Sequence, residues 1–319
     1  MTKNAKFKPL TIGISSTALF DMREEQKVFR EQGMEAYRHY QFEHRHSLLK
    51  PGTAFHLVQK LLRINPADEA PRVEIALISK NDIETGLRVR YSLDHYDLDI
   101  PRIALTGGKP IKPALLNAYG IDLFLSGHAE DVQNAVNGDI AAAVLDHPPE
   151  NPLQNGDKVH FAFDGDEVLF AGESEEIFQR EGLLAFMEYE TANREVPMPH
   201  GPFAKVLFVI EALKATFPAD DCPIETSLVT MRSAKSQLRP MNTLIEWGQI
   251  VDSAYMIGRG HIDGIKYQKV DVLDAIGADI FFDDQACHID LASKIVPSGL
   301  VPKKQSDTDD TDQDIKKSA

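Results

Sequence analysis

The sequence predicts an α/β fold built from two mostly parallel sheets, one in each half of the chain. Short apolar runs rich in β-branched and aromatic residues alternate with longer segments of helical periodicity, as in sheets whose strands are connected by helices. The two halves also share residues at corresponding places, which indicates an internal duplication. With 319 residues, of which 43% are hydrophobic, the chain can form two domains with packed cores.

Each half contains five strand candidates. In the first half they are Thr11–Ser15, Val73–Ser79, Arg102–Thr106, Asp122–Ser126 and Ala141–Leu145. In the second half they are Val159–Phe163, Glu225–Thr230, Ala254–Ile257, Asp279–Phe282, and a last run that begins at Ile295–Val296 and continues. These runs predict one domain over residues 1–150 and a second over residues 151–302, with a proline-rich turn or linker at 148–152. The tail 303–319 is rich in Asp, Lys and Ser, and we expect it to be disordered.

The duplication is visible as identical residues separated by an offset that grows slowly along the chain. Examples are Phe29 and Phe178, Gly33 and Gly182, Tyr40 and Tyr189, Arg88 and Arg239, Lys112 and Lys269, and Asp122 and Asp279. The pairs keep the same order in both halves, and small insertions explain the growing offset. The sequence therefore predicts two tandem domains of similar topology.

Composition excludes several classes of protein. A net charge of −15 argues against a nucleic-acid surface, because phosphate backbones need clustered Lys and Arg. No apolar run reaches the length of about 18 residues that a membrane span needs, and the first residues lack the apolar core of a signal peptide. Only Cys222 and Cys287 are present, so we expect no disulfide framework and a reducing compartment. The expectation is a soluble cytoplasmic protein, and a homo-oligomer stays open.

Polar residues follow the strand candidates of the second half at four places. In chain order these are Asp164-Gly165-Asp166, Thr230 with Arg232 and Ser233, Lys269, and Asp283-Asp284. Acids at the end of a buried strand are costly unless a cation or another partner compensates them. Because the carboxyl ends of parallel strands share one edge of the sheet, the four places can converge there.

These residue types suit phosphoryl transfer. A carboxylate can attack phosphorus and form an aspartyl-phosphate, and a second carboxyl can protonate the leaving alkoxide and later deprotonate water. Several carboxylates at one point suit Mg²⁺, which prefers oxygen ligands and screens the repulsion between two anions. A hydroxyl and a Lys supply hydrogen bonds and positive charge to the phosphoryl oxygens.

Some assignments stay open at this point. Lys266 competes with Lys269 for the role of the cation, and Arg232 either contacts phosphate or neutralises nearby acids. Asp283-Asp284 could cap the following helix, which is compatible with one of the pair binding a metal. Asp164 and Asp166 alone would also fit an ordinary turn or a calcium-type acidic loop.

The four motifs, in this order and strand context, resemble those of the haloacid dehalogenase-type phosphatase superfamily. More specifically, the chain resembles the type I cytosolic 5'-nucleotidases over nearly its whole length, to about Pro302. The stretches that carry this resemblance include Ala18-Leu19-Phe20, His95-Tyr96-Asp97-Leu98, Thr106-Gly107-Gly108, Phe163-Asp164-Gly165-Asp166, Thr230-Met231-Arg232-Ser233-Ala234, and Ile280-Phe281-Phe282-Asp283-Asp284-Gln285. The resemblance implies a Rossmann-like sheet in each half and a small helical cap insert at about 173–223 in the second.

The resemblance also implies roles for the site residues. Asp164 would be the nucleophile, and its carboxylate and the Asp166 backbone carbonyl would help hold Mg²⁺. Asp166 would act as acid and base on the 5'-oxygen, and Asp283 or Asp284 would complete the metal site. The phosphoryl group would be bound by Gly165, Thr230, Arg232, Ser233 and Lys269. The implied substrates are nucleoside 5'-monophosphates, AMP prominent among them, and ADP or ATP can activate members of the family.

The first half lacks every one of these acids. By superposition of the halves, Ser15 and Thr17 stand where Asp164 and Asp166 stand, and Ser126-Gly127 stands in place of Asp283-Asp284. Ser79 and Lys112 correspond to Thr230 and Lys269, so the first half keeps groups that could bind phosphate. One hypothesis is therefore a non-catalytic domain that binds an anion, such as a regulatory nucleotide, at Ser79 and Lys112. The alternative is that the first half is only a scaffold.

Two other functions compete with a 5'-nucleotidase. One is a phosphatase of the same superfamily acting on another small phosphate ester, such as a sugar phosphate. The other is a nucleotide-binding regulatory protein without activity, against which the intact acids of the second half argue.

Overall fold

We describe a computed structural model of the chain over residues 8–145, 148–149, 156–248, 251–258, 261–262 and 265–305. The predicted boundary between the halves at 150/151 and residues 306–319 of the tail lie outside the described residues. Within the described ranges the chain forms an α/β fold with one large, mostly parallel sheet.

The strands are β1 (Leu10–Ile14), β2 (Phe20–Asp21), β3 (Lys50–Pro51), β4 (Val73–Ser79), β5 (Arg102–Leu105), β6 (Leu123–Ser126), β7 (Ala141–Leu145), β8 (Val159–Phe163), β9 (Ile224–Thr230), β10 (Ser253–Met256), β11 (His261–Ile262), β12 (Ile265–Lys266), β13 (Ile280–Asp283) and β14 (Ser298–Leu300). The helices are α1 (Ser16–Leu19), α2 (Arg23–Glu43), α3 (Phe55–Arg63), α4 (Ile83–His95), α5 (Pro113–Ala118), α6 (Ala129–Asn137), α7 (Glu173–Glu181), α8 (Leu183–Ala192), α9 (Ala204–Lys214), α10 (Leu238–Glu246), α11 (Lys269–Ile276) and α12 (Ala286–Ala292).

The two predicted sheets are joined into one. The strand order is β10-β9-β8-β13-β14-β7-β6-β1-β4-β5, and every neighbouring pair is parallel except β14 and β7. There the two halves meet edge to edge in antiparallel pairing, with Gly299 opposite Leu145 and Leu300 opposite Val144. An open edge strand presents unpaired N–H and C=O groups, and here the edge of each half satisfies that of the other.

The last strand of the second half begins at Ser298 and not at Ile295, where the sequence predicts its start. The backbone N–H groups of Ile295 and Val296 both donate to the Ala292 carbonyl, at 3.0 and 2.9 Å, as a continuation of the end of α12. The strand forms only in the continuation, at Ser298–Leu300. Apolar content alone could not distinguish a buried helix end from a strand here.

The core lies on both faces of the sheet. Alternate residues of the central strands point to opposite faces, so that Phe161 and Phe163 belong to one apolar cluster and Ala162 to another. The largest cluster runs along one face across both halves and includes α3 and α9, whereas a smaller cluster covers the other face of each half. Because α9 is part of this core, only α7 and α8 of the predicted insert 173–223 stand apart from the sheet layers.

The two halves have the same strand order outward from their junction. β7, β6, β1, β4 and β5 follow one another in the first half as β14, β13, β8, β9 and β10 do in the second. After the central strand, each half carries a helical pair bent at a glycine of nearly the same conformation, Gly33 at φ 83° and Gly182 at φ 86°. Only glycine adopts this conformation without strain, which explains its presence at both bends. None of the helices within the described ranges is both long and apolar enough to cross a bilayer.

Candidate active site

The predicted strand ends of the second half meet at one edge of the sheet. β8 lies between β9 and β13, so Asp164 after β8 is flanked by Thr230 at the end of β9 and Asp283 at the end of β13. The Asp164 backbone N–H donates to the Phe282 carbonyl at 2.8 Å, which holds the two strand ends in register. The shared edge of a parallel sheet thus assembles residues that lie more than a hundred positions apart.

Lys269 bridges two of the carboxylates. Its Nζ lies 2.6 Å from Asp164 Oδ1 and 2.7 Å from Asp283 Oδ2, and all three side chains are buried. Lys269 is the first residue of α11, which begins directly beside the edge. Of the two lysines left open by the sequence, Lys269 is therefore the one placed at the acids.

The buried charges shift several pKa values. Burial raises the pKa of Asp164 to about 7, with Lys269 opposing the shift and the charges of Asp283 and Asp166 adding to it. Burial also favours the neutral form of Asp283, but a hydrogen bond with His288 and the charge of Lys269 keep its pKa below the usual value. For Lys269, burial lowers the pKa, and the two carboxylates more than reverse this. An additional cation would therefore favour the charged form of Asp164.

Asp284 completes a cluster of acids that fits a divalent cation. One carboxylate oxygen from each of Asp164, Asp283 and Asp284 lies within 4.8 Å of the others. Asp284 Oδ1 is buried and has no hydrogen-bond partner among the described residues. Burial, together with the charges of Asp164 and Asp283, raises the pKa of Asp284 to about 7. Hard oxygen donors with unmet charge are what Mg²⁺ prefers, so the residues present fit this ion. Both members of the pair Asp283-Asp284 face the cluster.

Asp166 lies outside that cluster because its carboxylate is paired with Arg232. Arg232 Nε donates to Oδ2 at 2.8 Å and Nη2 to Oδ1 at 2.6 Å, a bidentate arrangement. The same guanidinium donates to the Glu190 carboxylate of α8 and to the Ser236 carbonyl. In this conformation Arg232 therefore neutralises acids, one of the two roles that the sequence left open. The predicted metal contact of Asp166 concerns its backbone carbonyl and stays a prediction.

The other predicted phosphate-binding residues lie at the ends of β8 and β9 or just beyond them. Thr230 Oγ1 accepts the Arg232 backbone N–H at 3.3 Å, so the hydroxyl can still donate to a phosphoryl oxygen. Gly165 begins a tight turn, its carbonyl accepting the N–H groups of Leu169 and Phe170 at 3.0 and 2.9 Å. Ser233 precedes a short 3₁₀ turn at Ala234–Ser236.

Sequence reasoning missed two residues that support the site. His288 Nδ1 lies 3.0 Å from Asp283 Oδ2, and its position one turn into the following helix was an available signal. Glu190 is completely buried between Arg232 and Arg239, and Ser174 donates to it at 2.6 Å. No local pattern distinguishes Glu190 from the exposed Glu188 of the same helix, so only the fold shows its role.

In the first half, hydroxyl groups occupy the same strand ends. Ser15 Oγ lies 3.0 Å from Thr17 Oγ1, and Ser16 Oγ lies 3.0 Å from Ser79 Oγ. Ser79 Oγ accepts the Asn81 N–H at 3.2 Å, as Thr230 does from Arg232. Ser79 therefore occupies the strand end that corresponds to Thr230.

Lys112 does not lie there. It is exposed and is not part of the described lining of the first-half cavity, which contains Lys80 instead. Pro113 is the first residue of α5, so Lys112 precedes that helix, whereas Lys269 is the first residue of α11. This shift of one residue at the start of the helix accompanies the different positions of the two lysines.

The fold and this edge define an α/β protein with a carboxylate-rich site at the carboxyl ends of its strands. The 5'-nucleotidase family model matches residues 1–308 of the chain. The chain is also 35% identical, over 298 residues, to human cytosolic 5'-nucleotidase 1B, covering 90% of this chain and 47% of that protein. The chain thus belongs to the 5'-nucleotidase family, a family of phosphoric monoester hydrolases, and spans about half the length of this curated relative.

Proposed function

We propose that the protein is a Mg²⁺-dependent 5'-nucleotidase that hydrolyses nucleoside 5'-monophosphates such as AMP through an aspartyl-phosphate. The observation that carries this proposal is the buried Asp164 carboxylate, in contact with Lys269 and clustered with Asp283 and Asp284. A carboxylate held at a strand end, with a cation beside it and further acids for a metal, matches what phosphoryl transfer to an aspartate requires.

In the first step, an Asp164 carboxylate oxygen attacks phosphorus while the bond between phosphorus and the 5'-oxygen breaks. Asp166 gives a proton to the departing 5'-oxygen, which releases the nucleoside. In the second step, Asp166 takes a proton from a water molecule that attacks the aspartyl-phosphate, and inorganic phosphate leaves with Asp164 regenerated. For Asp166 to act in this way, its bidentate contact with Arg232 has to open when substrate binds.

In this proposal, three groups supply positive charge or hydrogen bonds to the nucleophile and the phosphoryl oxygens. Lys269 balances the charge of the nucleophile, the Thr230 hydroxyl donates to one oxygen, and Arg232 offers a fork of donors once it leaves Asp166. Asp164, Asp283 and Asp284 would hold Mg²⁺, which when bound supplies positive charge against the repulsion between carboxylate and phosphate.

The helical pair α7–α8 is proposed as the cap that selects the nucleoside. It is connected to the site through Glu190, whose carboxylate binds the same Arg232 that binds Asp166. Closure of α7–α8 over a nucleotide would therefore rearrange the contacts among Glu190, Arg232 and Asp166, the proposed acid. We also infer that the two halves arose by duplication, which the common strand order supports, and that the protein acts in the cytosol, as the name of the human relative suggests.

The test is release of inorganic phosphate from a panel of nucleoside 5'-monophosphates and sugar phosphates, with Mg²⁺ and with chelator. The proposal expects nucleotide turnover that requires Mg²⁺. Preference for a sugar phosphate would instead indicate another phosphatase of this type. No turnover of any phosphate ester in the presence of Mg²⁺ would contradict the enzymatic function.

A further inference from the structure

The first half contains a cavity of about 340 Å³ at the carboxyl ends of β1 and β4. It is formed by the strand ends and the helical pair of α2, in the place that the active site occupies in the second half. From β1 the chain proceeds to β4 and β5 on one side and later to β6 and β7 on the other. Ligands of open α/β sheets bind at such a reversal of strand order, and the volume suits a small molecule.

The floor of this cavity offers hydrogen-bond donors. It contains the hydroxyl groups of Ser15, Ser16, Thr17 and Ser79, together with the side chain of Asn81. Asn81 is only 9% exposed, and its Oδ1 accepts from the Tyr37 hydroxyl at 3.2 Å, but its Nδ2 has no hydrogen-bond partner in the part of the chain that the structure describes. A buried donor without a partner is costly, and a ligand acceptor would remove that cost.

The charges around the floor balance, unlike those of the active site. Lys80 Nζ lies 2.9 Å from Asp131 Oδ1, and Arg38 Nε donates to Asp82 Oδ2 at 2.9 Å. No acid stands at the strand ends themselves, where Ser15 and Thr17 replace the two catalytic aspartates. An anion can therefore approach the hydroxyl groups without the repulsion that Asp164 would exert. Asp131 is fully buried, and its Oδ2 forms no hydrogen bond with any described residue, so it can accept from a ligand N–H or O–H.

The opposite wall is apolar and partly open to solvent. It contains Met22, Ile111 and, from the helical pair, Phe29 and Met34. Phe29 is 45% exposed and Met34 44%, although both line a cavity whose floor is polar. An aromatic ring and a thioether at the mouth of a cavity suit the flat face of a heteroaromatic ring.

We propose that this cavity is a second, non-catalytic binding site for a nucleoside phosphate. The phosphate accepts from the hydroxyl groups and Asn81 Nδ2 on the floor, the ribose or base donates to Asp131, and the base packs on Phe29 and Met34. The bound molecule is not hydrolysed, since Ser15 and Thr17 provide neither the carboxylate nucleophile nor the carboxyl acid. The site goes beyond the proposed hydrolysis and does not depend on it.

The experiment counts AMP molecules bound by the full chain carrying Asp164→Asn, which is intended to prevent turnover, using isothermal titration calorimetry. We expect two molecules per chain. Adding Asn81→Asp replaces the donor Nδ2 with an acidic oxygen and keeps an acceptor for Tyr37. This variant should lower the AMP affinity of one of the two sites by about tenfold or more, equivalent to about 1.4 kcal/mol. Titrations with inorganic phosphate and with adenosine show which part of the nucleotide each site holds.

Two further variants make the result decisive. Phe29→Ala removes a half-exposed ring and should weaken the same site without unfolding the chain, whereas Lys112→Ala, exposed and outside the described cavity lining, should leave both sites unchanged. If the Asp164→Asn protein has no AMP site that Asn81→Asp and Phe29→Ala weaken, whether it binds no AMP, one or two, the second site is overturned. Phosphate release by the wild-type chain is measured separately, so failure of the hydrolytic function would be seen there and not here.

Discussion

Replacing Glu190 with Gln should destabilise the protein by about 3 kcal/mol, the lower end of the cost of removing one partner from a buried ion pair. Glu190 is 0% exposed and its carboxylate binds both Arg232 and Arg239, the latter at 3.1 Å. Gln keeps an acceptor and nearly the same volume but removes the charge. Arg232 retains Asp166. Among acids of the described residues, Arg239 retains only the exposed Glu173 at 3.6 Å, beside a hydrogen bond from its Nε to the Val196 carbonyl, so an arginine charge stays buried with reduced compensation.

The assay is equilibrium unfolding in urea, supported by thermal unfolding. For a chain of 319 residues, about 3 kcal/mol corresponds to a fall in Tm of roughly 4–5 °C. Glu188→Gln is the matched control, because Glu188 lies on the same helix and is exposed, and it should change the stability by less than about 0.5 kcal/mol. A double-mutant cycle with Arg239→Met should show that the two effects are not additive.

If Glu190→Gln changes the free energy of unfolding no more than Glu188→Gln does, the reasoning is wrong. That result would mean that the buried charges between α8 and the sheet edge are solvated or relax freely. Additive effects of Glu190→Gln and Arg239→Met would likewise contradict direct coupling between these two side chains.

Three other predictions follow from the site and the fold. Asp164→Asn should abolish phosphate release because an amide is not a nucleophile, and substantial residual turnover would refute the assignment of Asp164. Because the pKa values of Asp164 and Asp284 are raised, the metal-free folded chain retains protons that the unfolded chain loses near the ordinary Asp pKa of 3.8. The stabilisation that these protons contribute is complete below pH 3.8 and is lost as the pH rises through about 7. Mg²⁺ should therefore raise Tm more at about pH 8 than at about pH 6, and an equal rise at both, measured by scanning calorimetry, would contradict the metal cluster. Gly201→Ala should destabilise the protein by about 1–3 kcal/mol in urea unfolding, because a Cβ there would lie 2.5 Å from the Val168 carbonyl oxygen. Gly52→Ala should behave alike, because its Cβ would lie 2.7 Å from the Phe20 backbone. Gly156→Ala serves as the control, because no atom of the described residues lies within 4 Å of the Cβ position there.

The strand ends of the active site were predictable because they depend on local patterns. A short apolar run followed by acids is visible without a fold, and the rule that parallel strands share a carboxyl edge then brings Asp164, Thr230 and Asp283 together. The family membership inferred from these motifs is confirmed by the family model and by the human relative. The α/β class was likewise readable from the alternation of strand-like and helical segments.

The contacts of the charged side chains were not predictable in the same way. The sequence left Arg232 between two roles, and the structure places it on Asp166 and Glu190, which lie 66 and 42 positions away. Lys112 and Lys269 occupy corresponding positions in sequence, yet Lys269 contacts the acids at the strand ends of its half, whereas Lys112 is exposed and lies outside the described lining of the first-half cavity. A difference of one residue in the start of a helix is below the resolution of any periodicity argument.

The sequence by itself determined that this chain carries similar strand ends twice, with Asp164 and Asp166 in one half and Ser15 and Thr17 in the other. Residue identity and strand periodicity are local properties, so they can be read along the chain. Only the tertiary structure decided that the halves share one sheet, through β14 and β7. It also decided that the strand ends without the aspartates line a cavity with Asn81, whose Nδ2 has no hydrogen-bond partner among the described residues. Edge pairing and cavity shape depend on the packing of segments far apart in sequence, where no local pattern specifies the partner.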